Sequence, residues 1–516
     1  MERDYRMAEV LTDLDSLAVA VLEVDENVKD YLDVAVILEV IGVTRETAKR
    51  YGYKDIFNLA EAVFKAIRHY QLRGETAGTR KKTRIDSIIE ALRLFAGGMT
   101  LGFPWVIILL VYIIFKVSWL PISETPLVST SVNLALVASI ISTSWISPLF
   151  MRKLFYFMYQ KMYSAVRKIL VAYFISGFFI TLLIAILLVM FTNTLGIYPD
   201  WWITYFTIFF IALSLLWLTT APLYALRLHI PLILTYLCSL LIIGISYTVM
   251  RSIPQKFMAH IYGTIGGSAI VIIYLTVYLY LRSRFKPESY GDVKIRLPFT
   301  LYLGMPYSIV NLLYFIFIFT DRFLVWYRGS PYLFLVDFLY ETPASLSLLI
   351  ITVPFGVMNY YIQRFYRYLS GERSEFNSFQ IDEYRESIKK IYLKMQTVIF
   401  LSGFSFWVIL FFLIRNQIGD VTIFTYLSIG HIFLISIISN ILVFFCMHRP
   451  VMPLLPMLLG TLLNFTLGAI LIKMYGVKYV ASMSYMVSSI IMAIFLITMV
   501  IETIIKKIDY YYYSAF

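Results

Sequence analysis

The sequence predicts an all-α, polytopic membrane protein: about 12 transmembrane helices in two parallel six-helix halves, behind a small helical soluble domain. Three observations carry this reading. Of the 516 residues, 60% are hydrophobic and only 15% charged, with 40 Phe and 40 Tyr. Soluble domains hold about 45–50% apolar and about 25% charged residues, so the composition is that of a membrane protein. From about residue 97, apolar runs of about 20 or more residues alternate with short polar breaks. Finally, a segment near the start of the first run recurs about 200 residues later, as set out below.

The N-terminal part differs from the rest. Residues 1–75 carry about 15 acids against about 10 bases, whereas the whole chain has a formal charge of +12. "MERDYRMAEVLTDLDSLAVAVLEVDENVKDY" lacks the basic n-region and cleavage site of a signal peptide. "KDIFNLAEAVFKAIRHY" places Ile56, Leu59, Val63 and Ile67 on one helical face, with Thr44 as an N-cap of a short preceding helix and Gly52 as its stop. Residues 1–78 therefore read as an acidic, helical, cytoplasmic domain, a docking or folding appendage. Residues 79–96 read as a basic juxtamembrane linker, with the helical "IDSIIEALRLF" lying in the interface.

The first half, residues 97–290, holds apolar segments at roughly 97–116, 128–150, 168–192, 200–226, 230–250 and 257–281. The second, residues 291–516, holds them at roughly 297–320, 332–362, 394–415, 421–447, 450–474 and 477–505. With the N-terminus inside, about 26 basic residues near helix ends fall on the cytoplasmic side and about 8 on the other. An even number of helices with both termini cytoplasmic fits that bias.

"LGFPWVIILLVYIIF" (101–115) and "LGMPYSIVNLLYFIF" (303–317) align without gaps at an offset of 202, with eight of fifteen positions identical. The pairs Gly102/Gly304 and Pro104/Pro306 carry most weight, because shared Leu and Ile are cheap in membrane segments. "KLFY" (153–156) and "QRFY" (363–366) echo each other at the close of the next helix in each half. Both copies begin inside, so the halves are parallel repeats, an arrangement common in secondary transporters with a substrate path between the halves. Proline removes an i→i−4 bond and glycine permits close packing, so a Gly-x-Pro element loosens the start of each repeat.

Several function classes have no support. The two cysteines, Cys238 and Cys446, lie in apolar runs, and the five histidines form no metal motif. No P-loop, GxSxG or dinucleotide fingerprint is apparent, so neither an enzyme nor a cofactor is implied. The basic balance reflects membrane orientation rather than nucleic-acid binding.

Four elements point further: "GFPW" (102–105), "STSWISPLFMRKLFYFMY" (142–159), "TDRFLVWY" (320–327) and "NYYIQRFYRYLSG" (359–371) with the charged loop behind it. On these, roughly residues 90–510 resemble the multidrug/oligosaccharidyl-lipid/polysaccharide flippase superfamily, and more narrowly the Pel exopolysaccharide exporter family (PelG-like). "GFPW" departs from the expected Gly-Pro-Trp by one inserted residue, and the acidic N-terminal domain is an addition to the pattern. The resemblance implies export of a polysaccharide or lipid-linked glycan across the cytoplasmic membrane, as in exopolysaccharide biosynthesis and biofilm formation. It also implies a cytoplasmic glycosyltransferase and membrane scaffold proteins as partners, beside the glycan and the lipids themselves. Two alternatives are an ion-coupled small-molecule antiporter of the same superfamily and a non-transporting scaffold, which a dry, unlined interior would favour.

Ionisable residues in membrane helices are costly and usually face a cavity. Asp321 and Arg322 fall at the expected outer end of the seventh helix, either as cleft residues or as a solvated ion pair at a helix terminus. Asp337 and Glu341, four residues apart, share a face of the eighth helix, with Pro331 in its first turn. They form either a coupled proton or cation site, or acids favoured by the helix N-terminal dipole. Asn311 shares the seventh helix with Asp321 and completes the set of transport-cleft candidates. Arg364 and Arg367 either meet phosphates of a lipid carrier or snorkel to headgroups. His260 and Arg251 are expected at the interface; His431, Asn440 and Asn464 are expected to bond between helices.

Overall fold

A computed structural model describes residues 14, 16–18, 20–22, 24, 28, 30–43, 48–49, 51–72, 88–100, 102, 126–160, 162–249, 253–285, 297–329, 331–370, 381–477 and 479–508. The chain divides into two compact units, one within Met1–Ala91 and one holding nearly all the remainder.

In the first unit, α1 (Tyr31–Val40) starts at Asp30, whose carboxylate accepts the Leu32 and Asp33 amides at 2.9 Å. α2 (Ile56–Leu72) is amphipathic and buries Leu59, Val63 and Ile67, three of the four predicted core positions; Ile56 is half-buried against them. Leu17, Val21, Val34 and Leu38 complete this core. Gly52 has φ +84°, which only glycine adopts without strain, as its predicted stop role requires. Thr44 lies outside the described residues.

The second unit is a bundle of helices: α3 (Pro126–Ser144), α4 (Ile146–Tyr159), α5 (Tyr163–Leu195), α6 (Asp200–Ala225), α7 (His229–Val249) and α8 (Ile253–Phe285) come first. α9 (Leu297–Trp326), α10 (Phe338–Ser347), α11 (Thr352–Ser370), α12 (Ile381–Ile414), α13 (Val421–Cys446), α14 (Leu454–Tyr475) and α15 (Val480–Lys507) follow. A 3-10 turn, Leu348–Ile351, joins α10 to α11, so they cross as one span. Eleven spans are long and apolar enough to cross a membrane among the described residues. The predicted first segment, 97–116, is described only at 97–100 and 102, and residues 88–100 are helical.

The differences from expectation have local causes. The second predicted segment is two helices, because the chain turns at Trp145 between α3 and α4. The eighth starts at Phe338 rather than 332: Asp337 caps it through the Leu339 amide, and the stretch before it is tied back by a Tyr327–Phe334 bridge. The seventh runs on to Trp326, so Asp321 and Arg322 lie inside α9, not at its end. α12 begins at Ile381, so its 34 residues span about 51 Å and a charged first third extends past an about 30 Å hydrocarbon layer.

The repeat predicted from sequence is visible in the packing. Within the spans, α3 is 72% buried and its counterpart α10–α11 78%, α6 and α13 are both 67%, while α5 and α12 are only 17% and 22%. The second and fourth helices of each half are therefore central and the third peripheral. Contacts across the halves obey the same relation. Gly102 packs on Thr352 of α11, and Gly304 of α9 packs on Leu149 of α4. Leu149 and Thr352 are 203 residues apart, one from the repeat offset of 202. Asn359 donates to the Leu94 carbonyl at 2.7 Å and Asn311 to the Ser144 carbonyl at 2.7 Å, again one bond for each related seam.

Candidate functional site

Two cavities of about 540 and 500 Å³ flank Pro148, Asn311 and Phe315, where α4 meets α9. The first lies between the α3, α4, α6 and α7 helices of one half and α9 of the other; Thr143, Ser144, Ser147, Thr220 and Tyr224 supply hydroxyls to its wall. The second adds Arg152, Tyr307 and Tyr314 with apolar residues of α11 and α13. Among the described residues Arg152 is the single charged side chain lining the two cavities, and no described carboxylate lines either. It donates to the Tyr307 hydroxyl at 3.1 Å and its guanidinium sits 5.1 Å from the centre of that ring. Asn311 stands between the cavities, half-buried, with its carbonyl oxygen left for a ligand once its amide has gone to Ser144.

A second polar centre lies deeper in α9. Asp321, Arg322 and Glu341 are 1%, 3% and 5% exposed, so no solvated pair exists there. Arg322 Nε donates to Glu341 Oε1 at 3.2 Å, and Ser345 donates to the same oxygen at 2.9 Å. Tyr340 donates to Asp321 Oδ2 at 2.7 Å, while Arg322 Nη1 lies 4.0 Å from Asp321 Oδ1. Two carboxylates thus face one guanidinium, and Asp321 Oδ1 and Glu341 Oε2 find no hydrogen-bond donor among the described residues. The Arg322 charge also reaches the buried His431, whose ring packs 5.3 Å from that of Tyr485.

Of the predicted residues, the structure joins Asp321, Arg322 and Glu341, and places Asn311 at the cavity wall. It separates Asp337 from Glu341. Asp337 is partly exposed, caps α10 and pairs with Arg328 at 3.1 Å, while Glu341, one turn on, points inward to Arg322. The coupled Asp337–Glu341 pair is therefore not formed: the shorter helix puts Asp337 at its cap and gives each acid its own arginine. None of Asp321, Arg322, Asp337 and Glu341 lines either cavity. Arg364 and Arg367 are exposed at the far end of α11. His260 is buried rather than interfacial, and Arg251 lies outside the described residues. Asn440 accepts from Tyr392 at 2.5 Å and Asn464 donates to the Phe317 carbonyl at 3.3 Å, bonding between helices as expected.

Sequence reading alone misses Arg152, Tyr307 and Tyr340. Arg152 is hidden in a basic helix end that reads as orientation signal; the aromatic tyrosines read as belt or packing. Only pairing α4 with α9 singles out Arg152 and Tyr307.

No family model matches the sequence, and no curated protein matches it. The fold does have solved counterparts. A eukaryotic MATE transporter, AtDTX14, superposes with a TM-score of 0.56 at 14% identity, over 82% of this chain and 96% of that one. An inward-facing multidrug resistance MATE family transporter of the MOP superfamily gives 0.54 at 14% identity, over 80% and 95%. A MOP superfamily transporter from Pyrococcus furiosus, described as having a binding pocket of reverse polarity, gives 0.51 at 14%, over 80% and 97%. At these identities the likeness is one of fold: two halves of six helices, as in the MATE transporters.

Proposed function

We propose that this chain is a secondary transporter that exports a polysaccharide or lipid-linked glycan across the cytoplasmic membrane by alternating access of its two halves. The observation that carries the proposal is the cavity pair between the halves, whose mostly apolar and aromatic wall carries hydroxyls, an amide and, among the described residues, Arg152 as its one charge. Hydroxyls and amides suit sugar hydroxyls, tyrosine rings suit sugar faces, and a guanidinium suits phosphate or carboxylate. Among the described residues an organic cation would meet Arg152 and no carboxylate there, which counts against the small-molecule antiporter in its cation-exporting form. The cavity walls are mostly apolar, and it is the hydroxyls, the amide and the guanidinium set among them that weigh against a scaffold role.

In this reading the basic helix ends mark the cytoplasmic side, and both termini lie there. Asp321, Arg322 and Glu341 are a buried charge centre with one carboxylate in excess, suited to following a proton or monovalent cation through the cycle. Arg364 and Arg367 lie at the cytoplasmic end, where a carrier phosphate arrives. A glycosyltransferase and scaffold proteins of an exopolysaccharide system are the proposed partners.

The test is polymer secretion from cells carrying Arg152→Glu, Arg152→Lys or Asn311→Ala in place of the native chain. Charge reversal is expected to cut secretion about 10- to 100-fold, the worth of a charge-assisted hydrogen bond, while the lysine variant keeps much of it. Normal secretion from a well-expressed Arg152→Glu protein would overturn the assignment.

A further inference from the structure

At the end of the second unit away from Arg152, residues 327–329 and 331–337 make the two arms of a short hairpin between α9 and α10. Its stem is backbone: Arg328 N donates to the Leu333 carbonyl at 2.9 Å, Leu335 N to the Trp326 carbonyl at 2.8 Å, and Gly329 turns at φ +81°. The Arg328–Asp337 pair ties its two ends.

Although it belongs to the second half, this hairpin is bound by the first. The Tyr198 hydroxyl, from the α5–α6 turn, both donates to the Phe334 carbonyl and accepts the Phe334 amide, each at 2.9 Å. The Thr130 hydroxyl of α3 accepts the Val336 amide at 2.9 Å. Tyr198 is held by stacking: its ring lies 3.8 Å from Trp202 at 11° and 5.8 Å from Tyr332 at 16°. Trp202 is fixed in turn by its indole bond to the Leu127 carbonyl, 2.9 Å. Three hydrogen bonds and a ring stack thus cross the seam between halves at this end. Towards the other end the two cavities lie along the same seam.

We propose that these two arms, residues 327–329 and 331–337, are a gate strap that closes the path between the halves at this end, with the Tyr198 hydroxyl as its catch. A tyrosine that bonds both the N–H and the C=O of one residue holds that residue in a single register, and leaves two backbone groups unpaired when it lets go. The bonds are few and at the edge of the bundle, so separation of the halves breaks them without unfolding α9 or α10. The strap continues directly into the helices bearing Arg322 and Glu341, so its release and the state of that buried centre are mechanically joined. The purpose of the gate rests on the transport reading; its geometry does not.

The experiment uses the full chain in sealed vesicles, with Cys238 and Cys446 replaced by alanine and Phe315→Cys as a reporter, since Phe315 lines both cavities. A membrane-impermeant maleimide is added to each side in turn. With the strap closed, labelling comes from the end opposite the strap. Tyr198→Phe keeps the ring stack and loses the catch; combined with Thr130→Val it should raise strap-side labelling about tenfold or more. A Thr130→Cys/Val336→Cys disulfide should abolish strap-side labelling, and reductant should restore it. Unchanged labelling in Tyr198→Phe/Thr130→Val, or strap-side labelling through the disulfide, overturns the gate. Glycan export is measured in parallel on vesicles carrying the same strap variants with Phe315 retained. Export that stops on cross-linking and resumes on reduction supports the gate, and export through the cross-link overturns it. Labelling that follows the strap in a protein exporting no glycan leaves the gate standing and removes the transport reading.

Discussion

Replacing Arg322 by methionine removes the one positive charge from a pocket holding two carboxylates. At 3.2 Å from Glu341 and 4.0 Å from Asp321, the guanidinium attracts them by about 5 and about 4 kcal/mol at an effective dielectric of 20, before desolvation is subtracted. Breaking a buried pair by removing one partner costs about 3–5 kcal/mol, because an uncompensated charge is left behind. Arg322→Met leaves two, and should fall at or above the top of that range. Glu341→Gln is the informative contrast. Its amide oxygen still accepts from Arg322 and Ser345, and the centre becomes one carboxylate against one guanidinium, so its cost should stay near 1 kcal/mol. The combined Asp321→Asn/Arg322→Met/Glu341→Gln protein should recover most of the loss of Arg322→Met, since no unpaired charge remains. The assay is the temperature at which half of the detergent-purified protein stays monodisperse, read as a ranking because such unfolding is irreversible. The argument fails if Glu341→Gln is as damaging as Arg322→Met, or if the triple variant is the worst of the set.

Other expectations follow from the packing. Gly98→Ala would drive a methyl into the Phe355 carbonyl and the Gly356 backbone, which cannot yield, so the protein should lose folded yield; Gly460→Ala meets only the flexible Met492 side chain and should be tolerated. Expression and size-exclusion profiles separate the two. Asp337→Ala should cost about 1 kcal/mol through the lost α10 cap, whereas Asp337→Asn keeps the cap and should cost less, both measured by the same heating assay. Asn440→Leu leaves the buried hydroxyl of Tyr392 and the amide of Gln396 short of an acceptor, and should cost about 0.6–1.7 kcal/mol in that assay.

The sequence made the architecture readable because lipid imposes it. Long apolar runs have one folded solution, and the LGxP repeat located the second half to within a residue of the packing relation seen at Gly102 and Gly304. Helix ends were less readable where local chemistry decides them. Asp337 reads as part of an apolar run from about 332, yet its capping carboxylate starts the helix only at Phe338. The candidate centre was half legible. An acid and a base among apolar residues flagged Asp321 and Arg322, but the period of four that paired Asp337 with Glu341 said nothing of which arginine each would meet. Arg152 and Tyr198 carried no signal of their own, since their roles exist only where the two halves touch.

The most direct test of the transport account is counter-flow into proteoliposomes containing the purified chain, with a fluorescent anionic oligosaccharide–lipid and a fluorescent organic cation as rival substrates. The account predicts saturable movement of the anionic glycan, weakened about tenfold or more in Arg152→Glu, and no movement of the cation. Movement of the cation with none of the glycan, unchanged or improved by Arg152→Ala, would contradict it.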